Sequence, residues 1–168
     1  MFTYQALFSF LPTYLVELKG LDQAFAALLF GLAFVVGAIT QPLAGHAADH
    51  YGEHRTILVM IVLSTVTLAV LPPLGGRLAL AAAVPLLGVR IAVGPLMTAF
   101  VVRELPQSVQ GTGWGFMRTL FFALGATGST AIGLFADAGL FDAGFLLLAA
   151  LTGLTAFFWL GIPDVDRV

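Results

Sequence analysis

His46, His50 and His54 recur every four residues in "GHAADHYGEHR" (45–55), beside Asp49 and Glu53, and they are all the histidines the chain has. Residues four apart share one face of an unbroken helix, and imidazoles with carboxylates are a ligand set for a transition metal. Gly52 interrupts the series, however, and glycine is where a chain that must reverse direction does so. Bare histidine spacing is weak evidence for a metal, so no metal and no other cofactor is expected. Two further readings stay open. The stretch is either a solvated connection with no role beyond topology, or a mechanical element. In the mechanical reading Asp49 accepts hydrogen bonds from a neighbouring helix N-terminus, where the dipole favours an anion, or pairs with Arg55 or Arg118. Such a clasp holds one face of a helix bundle shut and can be released.

Arg90 is the second chemical signal. It lies near the middle of the apolar run 78–102. In a membrane helix an arginine at that depth costs about 2.5–3.5 kcal/mol, so it faces protein or a wet cavity and needs a partner. Snorkelling from the midpoint is difficult. No acid occurs at comparable depth in any apolar run, which removes an internal ion pair. A structural bond to backbone carbonyls and a contact with substrate or proton are both open for it. Tyr4, Gln5 and Tyr14 are the other polar candidates for a cavity. Covalent catalysis finds no constellation. There is no cysteine, and Ser9, Ser64 and Ser129 have no buried base because every histidine sits in one loop. An enzyme is not expected. The glycines of "GTGWG" (111–115) follow no strand and do not fit a dinucleotide fingerprint.

The elements that hold these residues are membrane helices. The 168 residues are 60% apolar and 10% charged, with a mean hydropathy of +1.02. A soluble domain is about 25% charged, so the expected solvent is lipid. A net charge of -2 gives no basic face for nucleic acid. The start, "MFTYQALFSFLPTYL", lacks a positive segment and a small-residue cleavage site, and reads as a span instead of a removable signal. Six apolar runs, about 2–16, 24–44, 57–74, 78–102, 114–136 and 141–162, predict one six-span all-α bundle over 1–168. The runs are continuous and lack period-two alternation, so helices are preferred to a barrel. The first is short, which fits a chain whose start is internal to a longer protein. Lys and Arg place loops two and four and both termini in the cytoplasm: Arg55, Arg103, Arg118 and Arg167 against Lys19 and Arg77. Gly125, Ser129 and Gly133 form a small-residue ridge in the fifth span, and Ala33 and Gly37, with Gly45 further along, another in the second; such ridges let helix backbones approach closely. Pro85 and Pro95 are expected to kink the fourth span, and Trp114 and Tyr51 to anchor at interfaces.

The spacing Gly45, Asp49, Gly52, Arg55 between two spans resembles the signature loop of the major facilitator superfamily of secondary transporters, G-x3-D-[RK]-x-G-[RK]-[RK]. The basic residue arrives one place late, and His50, Glu53 and His54 stand where the family often has bases. "LLGVRIAVGPL" resembles a second family pattern, an arginine followed four residues later by glycine. Arg90 and Gly94 match it, and Val93 stands where a glutamine is frequent. "GTGWGFMRTLFF" resembles the opening of a repeat's fifth span. The resemblance implies a cell-membrane, multi-pass protein that moves a small solute by alternating access, and a gating role for Gly45, Asp49, Gly52 and Arg55. It also implies substrate contact or proton coupling at Arg90 and Gly94. Twelve spans in two halves are usual in the family, so a second six-helix half or a homodimer partner is expected beside the bilayer and the solute. "FLPTYLVELKG", "QPLAG" and "FFWLGIPD" resemble the edges of the C-terminal half; the N-terminal half is the alternative. Sparse polar residues favour an amphipathic solute, or a monoanion drawn to Arg90, over a sugar. The competing function is a truncated or scaffolding membrane protein without transport of its own.

Overall fold

The computed structural model describes residues 1–162; Arg167, counted above with the cytoplasmic bases, lies outside them. Among the described residues every regular element is helical. They are α1 (Phe2–Thr13), continued by a π-helical turn (Tyr14–Leu18), α2 (Gln23–Tyr51), α3 (Glu53–Val70), α4 (Arg77–Leu86), α5 (Val89–Glu104), α6 (Gln110–Asp137) and α7 (Phe141–Leu160). Five helical runs are long and apolar enough to cross a membrane, with α4 and α5 acting as one run, Arg77–Glu104. The first run differs from the expected full crossing. With 12 and 5 residues, α1 and its π turn extend at most about 25 Å, short of the roughly 30 Å hydrocarbon layer.

One boundary differs from the sequence reading for a physical reason, and one of the two kinks expected from proline is present. Gly45 does not close the second span. The helix runs on through "HAADHY" to Tyr51, because alanines favour helix and a 29-residue helix of about 44 Å outreaches the bilayer core. The chain turns instead at Gly52, with φ 90 and ψ 145, a backbone conformation that side chains resist. One residue ends α2 and starts α3. Its N–H donates to Ala48 O at 3.0 Å, and its carbonyl accepts from the Thr56 N–H at 3.2 Å and the Thr56 hydroxyl at 2.9 Å. The fourth span breaks at Leu87–Gly88, just past Pro85, where tight turns bring Leu87 N–H to Val84 O and Gly88 N–H to Pro85 O. Pro95 lies inside an unbroken α5.

Small residues set the packing. At the break, Gly88 presses against the Ala33 carbonyl and the Gly37 amide of α2, and a Cβ at Gly37 would lie 2.6 Å from Ile91 Cδ1. The Ala33–Gly37 ridge therefore meets the kink of the fourth span, while Gly45 faces open space. The ridge on α6 receives α1. Gly125 packs on Gln5 and Met1, Gly128 on the Phe2 backbone, Gly133 on Phe10, and the Ser129 and Ser9 hydroxyls meet at 3.1 Å. These close approaches replace the hydrophobic drive that lipid does not supply. Large side chains such as Leu28, Ile39, Leu43, Phe116, Leu134 and Phe157 stay exposed on the outer surface, as a lipid-facing surface requires.

Ion pairs and hydrogen bonds close the two ends of the bundle. Glu53 at the start of α3 and Arg103 at the end of α5 pair at 2.6 Å, beside a His54–Trp159 contact that joins α3 to α7. At the other end Arg77 meets Asp22 at 3.6 Å and Lys19 meets Asp142 at 3.7 Å. The turns at 52 and 105–109 thus share one end, and the connections near 20, 75 and 139 share the other.

Candidate functional site

Between α1, α5, α6 and α7 lies an open cleft of about 1430 Å³. Arg90 reaches it from the first turn of α5. The Pro85–Gly88 break decides its setting, since Gly88 brings this turn against α2 and leaves Arg90 opposite the N-terminus of α1. One terminal nitrogen donates to the Thr3 hydroxyl at 2.9 Å. Nε is buried with no hydrogen-bond partner among the described residues. A guanidinium has five N–H donors and no acceptor, so one hydroxyl leaves most of its capacity unused and its charge unneutralised.

Tyr4 and Gln5, expected beside Arg90, line the same cleft, and so does Gly94. Tyr4 packs on Phe8 at 4.8 Å, and Gln5 lies on Gly125. The structure adds Thr3 and Gln41, and Arg103, Arg118 and Trp114 toward the end that carries Gly52. Trp114 packs edge-on to Phe121 within this cleft. Among the described residues no aspartate or glutamate lines the cleft.

Tyr14 is elsewhere. The π turn aims it at α7, where its hydroxyl donates to Asp142 at 2.6 Å and its ring stacks on Phe145 at 4.0 Å. It is fully buried outside the cleft and acts as an anchor between α1 and α7. Asp142 also accepts the Lys19 charge and sits in the first turn of its helix, where an anion is favoured.

At the Gly52 end, Asp49 and Gly52 border a small polar hollow with Glu53 and Arg103. Asp49 is exposed and, among the described residues, pairs with neither Arg55 nor Arg118. Arg118 lies over the Phe122 ring at 5.7 Å, and Arg55 projects from the surface. The charge contact across this end is Glu53–Arg103, with Glu53 largely buried and Arg103 mostly exposed. His46 and His50 do share a helical face, with ring centroids 4.8 Å apart. His54, beyond the Gly52 turn, stacks on Trp159. Among the described residues no three histidine, aspartate or glutamate side chains gather around a common point.

Sequence reasoning missed Thr3, Glu53–Arg103 and His54–Trp159. Arg90's need for a partner was visible, but the partner's identity depends on which helix faces α5. Glu53 and Arg103 carried charges at opposite ends of separate loops, with nothing in their spacing to join them.

A bundle of long apolar helices around a cleft with a charge at mid-depth is the architecture of a multi-pass membrane transporter. The chain belongs to the major facilitator superfamily: the family model described as Major Facilitator Superfamily matches residues 1–168. No curated protein and no solved structure matches the chain. The family consists of transporters, not enzymes.

Proposed function

We propose that the chain is one six-span half, the C-terminal one, of a cell-membrane secondary transporter that moves a small solute by alternating access. In this reading Phe2–Leu18 counts as the first of the six spans, and residues 1–168 form one bundle. The observation that carries it is the cleft itself. Its opening leaves Arg90 with a single neutral partner among the described residues, a costly arrangement at membrane depth unless a second bundle covers it and a ligand or proton uses it. That second bundle is another six-helix half or a second copy of this chain, and rocking the two against each other exposes Arg90 alternately to the two sides.

Arg90 then contacts substrate or couples protons, with Tyr4, Gln5 and Gly94 lining its approach. The signature residues Gly45, Asp49, Gly52 and Arg55 belong to the gate. Gly52 is its hinge, and Glu53–Arg103 is the contact that opens and closes. Tyr14 holds α1 on α7 and takes no part in binding.

The test is a panel of solutes assayed for flux in proteoliposomes with and without an imposed proton gradient. Arg90→Ala is expected to abolish flux while the protein remains folded, and Arg90→Lys to retain part of it. Unchanged flux in Arg90→Ala would remove the arginine from the mechanism. A folded, inserted chain that moves no solute, alone or with a companion half, would favour a scaffolding role.

A further inference from the structure

The cleft has a charge pattern that the transporter reading does not require. Among the described residues three arginines line it, Arg90, Arg103 and Arg118, and no acid does. Arg103 is already matched by Glu53 at 2.6 Å. Among the described residues Arg90 bonds the Thr3 hydroxyl and Arg118 lies over the Phe122 ring, with no acid paired to either. The other polar lining groups, among them Gln5, Gln41 and Gln110, are neutral, and the rest of the wall is apolar and aromatic, including Trp114, Phe121 and Phe158. A cation entering would meet two unmatched positive charges and find no counter-charge. A sugar would face long apolar walls with few hydrogen-bonding groups. An anion would neutralise the buried guanidinium and take up donors that the fold leaves unused, through charge-assisted hydrogen bonds.

Resting on the transporter reading, we propose that the cleft's substrate is an amphipathic organic anion: one carboxylate or sulfonate head on an aromatic or aliphatic body. The head sits at Arg90 beside Thr3. The body lies along the aromatic wall toward Trp114 and Phe121. Arg118, on α6, attracts the anion electrostatically toward the cleft.

The experiment uses the 168-residue chain in phosphatidylcholine nanodiscs and radiolabelled naphthalene-2-carboxylate as the probe. Naphthalene-2-carboxamide and a naphthalene-2-methylammonium cation serve as the neutral and positive counterparts. The carboxylate is expected to bind at least about tenfold more tightly than either, by the arithmetic of one charge-assisted contact. Arg90→Gln should weaken carboxylate binding at least about tenfold and leave the carboxamide unchanged, whereas Arg90→Lys should restore part of it. Arg118→Gln should weaken it about threefold, and Arg77→Gln, equal in charge loss but at the far end, should not. Equal binding of the three probes, preference for the cation, no binding at all, or unchanged affinity in Arg90→Gln would each overturn the proposal. Loss of carboxylate binding when phosphatidylglycerol replaces phosphatidylcholine would assign the cleft to bilayer lipid and overturn a solute. Flux in proteoliposomes separates the two readings. Anion binding without flux contradicts transport and leaves the anion site standing; flux of the neutral or cationic probe alone does the reverse.

Discussion

His54 and Trp159 hold each other by two hydrogen bonds. The Trp159 indole N–H donates to the His54 carbonyl at 2.9 Å, and His54 Nε2–H donates to the Trp159 carbonyl at 3.0 Å, with the rings 5.3 Å apart and 19° from parallel. Trp159 is almost wholly buried, with Phe100 edge-on to its other side. The pair staples the start of α3 to the end of α7, so the connection after Gly52 is held by the last helix. Trp159→Phe keeps an aromatic ring but removes the donor and the volume of one fused ring. It should lower stability by about 1–3 kcal/mol, seen as a fall of several degrees in the melting temperature of the detergent-solubilised protein.

Glu53 and Arg103 bridge α3 and α5 at the same end. Because Arg103 is mostly exposed, the pair contributes little to stability, under about 1 kcal/mol. Its effect should appear in kinetics. Glu53→Gln and Arg103→Gln are each expected to change transport rate more than substrate affinity, and the swapped double variant, Glu53→Arg with Arg103→Glu, to return the rate toward the starting value. A swapped variant no faster than the single variants Glu53→Arg and Arg103→Glu would separate the pair from the gate.

Gly88 and Gly94 lie on the same span and should respond in opposite ways to alanine. A Cβ at Gly88 collides with the Ala33 carbonyl and the Gly37 amide, both backbone atoms, whereas one at Gly94 meets open space. Gly88→Ala must push α2 off α5 and is expected to destabilise by several kcal/mol, visible as loss of folded yield in a fluorescence-detected size-exclusion assay. Gly94→Ala should fold normally.

Tyr14→Phe tests whether this tyrosine is an anchor or a cavity group. Removing the hydroxyl leaves Asp142 with only the Lys19 contact. Thermal stability should drop by about 1–2 kcal/mol, with the affinity for any transported solute unchanged.

Much of this was legible before any coordinates. Composition and run length announce membrane helices. The Gly125–Ser129–Gly133 ridge marks a close helix approach, though not that α1 is the partner, and Gly52 marks the turn, because each depends on local chemistry alone. Three features were not legible, for separate reasons. The helix past Gly45 persists because the connection leaves the bilayer, which a hydropathy pattern does not register. Tyr14 reads from sequence as a cavity group because a tyrosine in an apolar run has no direction until the π turn sets one. Thr3 was invisible as Arg90's partner because pairing between α1 and α5 is a property of the packed bundle, created where Gly88 and Gly37 let α2 and α5 touch.

A bundle that crosses the membrane as the helices do here has the turns at 52 and 105–109 on one side and the connections near 75 and 139 on the other. The chain has no cysteine, so single thiols introduced by Tyr51→Cys, Ser108→Cys, Gly75→Cys and Ala138→Cys report sidedness without background. Labelling intact cells with a membrane-impermeant maleimide should modify Gly75→Cys and Ala138→Cys while sparing Tyr51→Cys and Ser108→Cys, which react only after permeabilisation. Reaction of Tyr51→Cys and Ser108→Cys from opposite faces would contradict the bundle and everything built on it.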